Sequence, residues 1–361
     1  MLVLTVLLTM RLSAGVATRR SVAFRMHLFS NDAINESLML ETRLVDHNAL
    51  FVIDTGYAGP PVISASYLAI RDNGGASLNE RYERIISRLA KGVSADAQHA
   101  AVGKFLQDEA CRTYTSGCTM KLMGIGSVRE QQSDMLLCPS LRFRTAEGTM
   151  ASPHGRVDAD VFVTNPLPQS VHILTCDYLV HMSPAMIDVG RGRLLLRMGA
   201  IESASARTRM TMLPFRQSGG AFVVPVELGG EMFDVTVDTG APGPVSLSAD
   251  AAARLRNCVH EGKALRQFGV NGEDVCSDII RTTLKFCGHH VGDVPVFANS
   301  SGLEGTDGYM GMGVLRAFNI FIANDGIGFE INGLPLRRTS SYDATASVKS
   351  CGVQLQCASA N

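Results

Sequence analysis

The sequence predicts a mainly β protein built from two related halves, and three observations lead there. Runs rich in Val, Ile, Phe and Leu are spaced by Gly and Pro, of which the 361 residues hold 35 and 13, the punctuation expected of many short strands. The tripeptide Asp-Thr-Gly occurs twice, at Asp54-Thr55-Gly56 and Asp238-Thr239-Gly240, each time directly after a β-type run. Further landmarks then recur in the same order in both halves, which points to an internal repeat.

The repeated neighbourhoods match in character. The first acid turn runs Phe51-Val52-Ile53-Asp54-Thr55-Gly56-Tyr57-Ala58-Gly59-Pro60-Pro61-Val62, and the second Val235-Thr236-Val237-Asp238-Thr239-Gly240-Ala241-Pro242-Gly243-Pro244-Val245. Ser133-Asp134-Met135-Leu136 and Leu141-Arg142-Phe143 are echoed by Ser277-Asp278-Ile279-Ile280 and Leu284-Lys285-Phe286. His172 to Leu179 corresponds to Tyr309 to Leu315, with Thr175 standing where the second half has Gly311. A hairpin closes each half. In the first, Met186 to Val189 turns at Gly190-Arg191-Gly192 into Leu194 to Leu196; in the second, Phe321 to Ala323 turns at Asn324-Asp325-Gly326 into Ile327 to Phe329.

In this arrangement the chain resembles the aspartic peptidases, over about residues 20 to 335. The resemblance implies a bilobal acid-protease fold on one chain, pepsin-like in layout, while the Ala241 that follows Asp238-Thr239-Gly240 is closer to the retropepsins. The lobes are expected at 20–200 and 208–337, with a tail at 338–361. A helical insertion is expected at about 76–110, because Leu78, Tyr82, Ile85, Ile86 and Leu89 recur at helical spacing and a second such stretch follows. Packing on the outside of the first lobe is the simpler role for it, a substrate lid the more special one. Ile201 to Arg207 reads as a hinge between lobes.

The chemistry implied is peptide-bond hydrolysis. Two carboxylates brought together cannot both ionise cheaply, so Asp54 and Asp238 would share a proton and act as base and acid around one water. Thr55 and Thr239, by the resemblance, hydrogen-bond across the two turns. Gly56 and Gly240 let backbone approach the carboxylates closely. A flap is expected at Met123-Gly124-Ile125-Gly126, ahead of Ser127, with Met123 where pepsins carry Tyr; Gly269 to Gly272 offers a second hairpin, so one flap or two remain open. Because Tyr57 and Ala241 put no short hydroxyl beside either carboxylate, a less acidic optimum is expected than in enzymes with Ser or Thr there.

Other chemistries find less support. A net charge of −1 with 19% charged residues implies no phosphate-neutralising surface, and nucleic acid is not expected as a partner. Cys276, Cys287, His289 and His290 lack compact zinc spacing, so neither a metal nor a cofactor is expected. No phosphate-binding loop and no Gly-x-Ser-x-Gly elbow occurs. Leu2 to Met10 is apolar and reads equally as a signal-peptide core or as a rim strand, too short to span a bilayer, which leaves secretion open. Nine cysteines leave at least one unpaired, with Cys111 and Cys118 or Cys351 and Cys357 able to close small loops. The expected partner is a polypeptide substrate and the expected state a monomer. Two alternatives stand beside this reading: a silent peptide-binding or inhibitor protein on the same fold, and a homodimer that uses only the second half.

Overall fold

The structure, a computed structural model, describes residues 21–30, 36–44, 47–57, 61–64, 112–124, 127–138, 142–151, 160–165, 172–214, 216–218, 220–255, 258–268, 274–299 and 305–336. The helical insertion at 76–110, the apolar run Leu2 to Met10 and the tail at 338–361 lie outside the described residues.

The chain is mainly β. Its first part forms β1 (Val22–Ser30), β2 (Glu36–Leu44), β3 (His47–Asp54), β4 (Val62–Ser64), β5 (Arg112–Gly124), β6 (Ser127–Cys138), β7 (Arg142–Arg144), β8 (Met150–Ala151), β9 (Asp160–Asn165), β10 (His172–Thr175), β11 (Ala185–Asp188) and β12 (Arg193–Leu196). The second part forms β13 (Thr211–Pro214), β14 (Gln217–Ser218), β15 (Ala221–Leu228), β16 (Glu231–Val237), β17 (Val245–Ser248), β18 (Val259–Phe268), β19 (Asp274–Phe286), β20 (His289–Asn299), β21 (Gly308–Met310), β22 (Phe318–Ala323) and β23 (Gly326–Ile331).

Pairing follows one scheme twice. β3, which ends at Asp54, lies parallel to β10; β10 pairs antiparallel with β4, β4 parallel with β9, and β9 antiparallel with β6, which pairs with β5. In the same way β16, which ends one residue before Asp238, lies parallel to β21; β21 pairs antiparallel with β17, β17 parallel with β20, and β20 antiparallel with β19, which pairs with β18. The registers are equivalent, with His172 opposite Phe51 and Gly308 opposite Val235, each three residues before its aspartate. Parallel strands of this kind are buried on both faces, which explains the nearly unbroken apolar runs Phe51-Val52-Ile53 and Ile173-Leu174, all of them buried.

The closing hairpins meet. β11 pairs antiparallel with β22, Met186 opposite Phe321, so the order β13-β23-β22-β11-β12-β1 is one sheet to which both parts contribute three strands. A single apolar cluster runs through the molecule, from Phe24, Phe51 and Ile53 to Phe233, Val235, Phe318 and Phe329. Within it Phe286 meets Phe318 and Phe329 edge-on at 5.2 and 4.7 Å, a geometry that adds about 0.5–1.5 kcal/mol per pair beyond area burial.

The segment read as a hinge is a helix instead, Ala200–Arg209. Its small residues Ser203 and Ala206 are spaced for one face and buried, where they let the helix approach the shared sheet around Met186, Met198, Met210 and Phe321. Arg207 pairs with Asp325 and Arg209 with Glu330, tying the last turn to β23 and the turn before it. A run of Ala, Ser and Arg looks like linker when no partner surface is known; packing against the sheet makes it a helix. Among the described residues no helix is long and apolar enough to cross a membrane.

Candidate active site

Asp54 and Asp238 come together. Each closes its strand into a tight turn in which two backbone amides point back at the carboxyl: Gly56 N and Tyr57 N donate to Asp54 Oδ1 at 2.9 and 3.1 Å, and Gly240 N and Ala241 N to Asp238 Oδ1 at 2.9 and 3.0 Å. Sequence reasoning took Tyr57 and Ala241 only for their side chains. Their amides are the second donors, and the position directly after each glycine is the signal that could have shown it.

The two turns grip one another. Thr55 N donates to Thr239 Oγ1 and Thr239 N to Thr55 Oγ1, both at 3.1 Å, while the hydroxyls donate onward to the carbonyls of Val237 and Ile53 at 2.7 and 2.6 Å. All of this is buried, where an unmade hydrogen bond costs about 1–3 kcal/mol. A short hydroxyl that both accepts and donates is what the position needs, and Thr supplies it.

Glycine is required for the remaining contact. A Cβ at Gly56 would overlap the Asp238 carboxyl, and one at Gly240 the Asp54 carboxyl. Each glycine therefore seats the acid of the opposite turn. Two carboxyls brought this close cannot both ionise cheaply. Burial first, then the charge of Asp238 and a hydrogen bond to it, hold the Asp54 proton well above the ordinary carboxylate range. Burial also raises Asp238, against the opposing hydrogen bonds from Asp54 and the two amides. The raised value belongs to the pair, and its net effect is a site that retains one proton where isolated carboxylates would have lost it.

Behind the turns the halves diverge. Met312 N donates to Ala241 O at 2.7 Å and Cys176 N to Tyr57 O at 3.0 Å, so the short helices Met312–Leu315 and Cys176–His181 dock alike. At Gly311, however, a Cβ would run into the carbonyls of Gly243 and Ala241. Thr175 occupies the matching place, fully buried, and its hydroxyl accepts from Tyr178 N at 3.3 Å as the cap of its helix. The first turn thus accommodates a side chain that the second excludes.

Of the other expected site residues, Met123 and Gly124 end β5, which pairs with β6 down to Gly124 opposite Ser127. Ile125 and Gly126 fall between these strands and outside the described residues, as does the second hairpin tip at 269–273 between β18 and β19. Among the described residues no group of His, Cys, Asp and Glu could hold a metal ion, and Cys176, Cys258 and Cys287 are free thiols. Cys111, Cys351 and Cys357 lie outside the described residues.

No family model matches the chain and no curated protein does. Among solved structures, a retropepsin-like aspartic protease from Rickettsia conorii is similar at 20% identity, covering 32% of this chain and 88% of that one, with a TM-score of 0.25. The reading below therefore rests on the geometry of the acid turns.

Proposed function

We propose that this chain is a single-chain, bilobal aspartic endopeptidase, its lobes at 20–200 and 208–337 related by internal duplication and its water activated between Asp54 and Asp238. The observation that carries the reading is the crossed arrangement of the two carboxyls, each held by two backbone amides of its own turn and seated on the other turn's glycine.

In the reaction the ionised carboxyl takes a proton from water as its oxygen bonds to the peptide carbonyl carbon, and the neutral carboxyl gives its proton to the carbonyl oxygen. Collapse of the resulting diol breaks the C–N bond. The proton gained from water passes to the leaving nitrogen, and a diol hydroxyl returns one to the other carboxylate, restoring the starting state. The fixed amides keep the acids oriented throughout, so little reorganisation accompanies the charge movement. The β5–β6 hairpin supports a flap at Met123 to Gly126 that would close over bound polypeptide and exclude water.

Both acids belong to one chain and pair within it, which supports a monomer over a dimer built from second halves. A silent peptide-binding protein would have no use for a shared proton in this setting. The test is cleavage of a mixed peptide library across pH, with and without a statine-type transition-state mimic, on protein of measured solution mass. Inhibitable cleavage by a monomer is expected; no cleavage at any pH would overturn the proposal.

A further inference from the structure

The strands that join the two parts of the chain have little in their own sequences to align them. β11 and β22 are buried along their whole length and read Ala-Met-Ile-Asp and Phe-Asn-Ile-Phe-Ile-Ala. A slip by two residues leaves every side chain on its own face and sets apolar groups against apolar groups, so burial does not choose between the alignments. Within each closing hairpin the turn fixes the register. No turn links β11 to β22, which come from opposite halves of the sequence.

A contact that distinguishes the alignments lies at the end of this ladder. Asp188 and Asn319, the one polar residue of each strand, stand one step beyond the pair Ile187 and Ile320, and both are buried. Asp188 is satisfied within its own hairpin, by Arg191 N at 3.1 Å and the Arg193 guanidinium at 2.8 Å. Asn319 reaches across: its Oδ1 accepts from Gly190 N of the first part's turn at 3.1 Å, while its Nδ2 donates to Glu330, itself paired with Arg209 of the connecting helix. Gly190 also rests on Asn332, where an added Cβ would come within 3.0 Å of the Asn332 Cβ. Asn332 is in turn fixed by the carbonyls of Arg316 and Ala317, at 2.8 and 2.9 Å. The second part thus offers a socket, acceptor and wall, that a glycine of the first part fits.

We propose that Gly190 in this socket sets the register of the β11–β22 ladder, which makes Asn319 a positioning residue for Asp54 and Asp238. The effect on the acids rests on the peptidase reading above; the register does not. A slip of two residues displaces one part against the other by about 6.6 Å, enough to part the threonine bonds between the acid turns, which are 3.1 Å long. It also deprives the buried Asn319 amide of its donor, which disfavours the slipped alignment about tenfold or more. A lone amide in an apolar seam specifies register, as a single buried Asn does in coiled coils. The threonine grip holds the aligned state once it is made; the socket decides which alignment the joining strands take as they meet.

Cysteine cross-linking reads the alignment without need of activity. Met186→Cys with Phe321→Cys places thiols opposite one another in the native register, whereas Met186→Cys with Ala323→Cys and Ile187→Cys with Phe318→Cys do so after a slip of two in either direction; facing positions lie within disulfide reach. After refolding from urea and oxidation, peptide mapping should find the first cross-link and not the others while Asn319 is present. Asn319→Leu should raise the yield of a slipped cross-link about tenfold or more and lower kcat by the misaligned fraction at unchanged KM. Asn319→Asp, which keeps an acceptor for Gly190 N, combined with Glu330→Gln, which supplies a donor to it, should restore the wild-type values. Native cross-linking alone in refolded Asn319→Leu would overturn the inference. Loss of the fold in both Asn319→Leu and Asn319→Ala would overturn it too, since a register key aligns more than it stabilises. If wild-type protein cleaves nothing, the peptidase reading falls and the cross-links still decide the register.

Discussion

The two acid turns are nearly interchangeable in their hydrogen bonds, yet the strands that support them are not. Beside the second aspartate the supporting strand offers Gly308 and Gly311, and a Cβ at either would collide with backbone. Beside the first, the same register positions hold His172, stacked on Phe51 at 5.1 Å, and the helix cap Thr175. The turns match in their amide donors, glycines and threonines, because each completes the other's contacts. One layer back, each turn's support answers only to its own packing, and there the two differ.

Breaking the equivalence of the acids should have the largest effect. Asp54→Asn and Asp238→Asn are each expected to lower kcat/KM by about 10²–10⁴-fold or more; loss with Asp238→Asn alone, in a dimer, would show that the first half is scaffold. Either variant should also stabilise the protein near neutral pH. The folded pair binds its proton more tightly than the unfolded chain, so its contribution is full below the ordinary carboxylate value and is lost as pH rises through the raised one. The gain over wild type in urea unfolding should shrink toward pH 4.

His172 tests the supporting layer from the opposite direction. Burial lowers its imidazole from 6.5 to about 4, so the unfolded chain protonates first and stability falls as pH drops through that window, by about 3 kcal/mol. His172→Leu should flatten this acid limb; an unaltered slope in urea titrations at pH 7 and pH 4.5 would assign the loss elsewhere. Gly311→Ala should cost about 1–3 kcal/mol through overpacking, against about 1 kcal/mol for Thr175→Ala through the lost cap, both measured by denaturant midpoint. Equal costs would mean that the two positions are less different than their surroundings.

The smallest effect concerns the acids' outer surroundings. Ala241→Ser places a hydroxyl next to Asp238 and, by hydrogen-bonding to its ionised form, should move the pH–rate profile toward acid. A shift toward alkali would remove the basis for expecting a less acidic optimum in the wild type.

Much of this was legible in the sequence because the acid turns are local: strand, Asp-Thr-Gly and tight turn lie within about ten residues and recur. The closing hairpins were legible for the same reason, since Gly190-Arg191-Gly192 and Asn324-Asp325-Gly326 mark their turns. What escaped depends on distant partners. The helix Ala200–Arg209 is formed by a sheet whose strands come from both ends of the chain, and nothing in its own small polar residues announces that. The contrast between Tyr57 and Ala241 was visible as letters, but the packing of Tyr57 against Met39, Val52, Val62 and Ile173 was not, because those residues come from four strands. Thr175 in place of glycine was visible as a departure, and its use as a helix cap was not.

The crossed seating of the carboxyls has a consequence for biosynthesis. A ribosome-bound chain that has emerged only through β12 owns one acid, half of the threonine grip and no glycine for that acid to rest on. On the proposed reading it cannot hydrolyse anything, itself or its neighbours, until the second turn has been translated and has folded against the first. Competence arrives late and all at once, timed by the roughly 180 residues that separate Gly56 from Gly240.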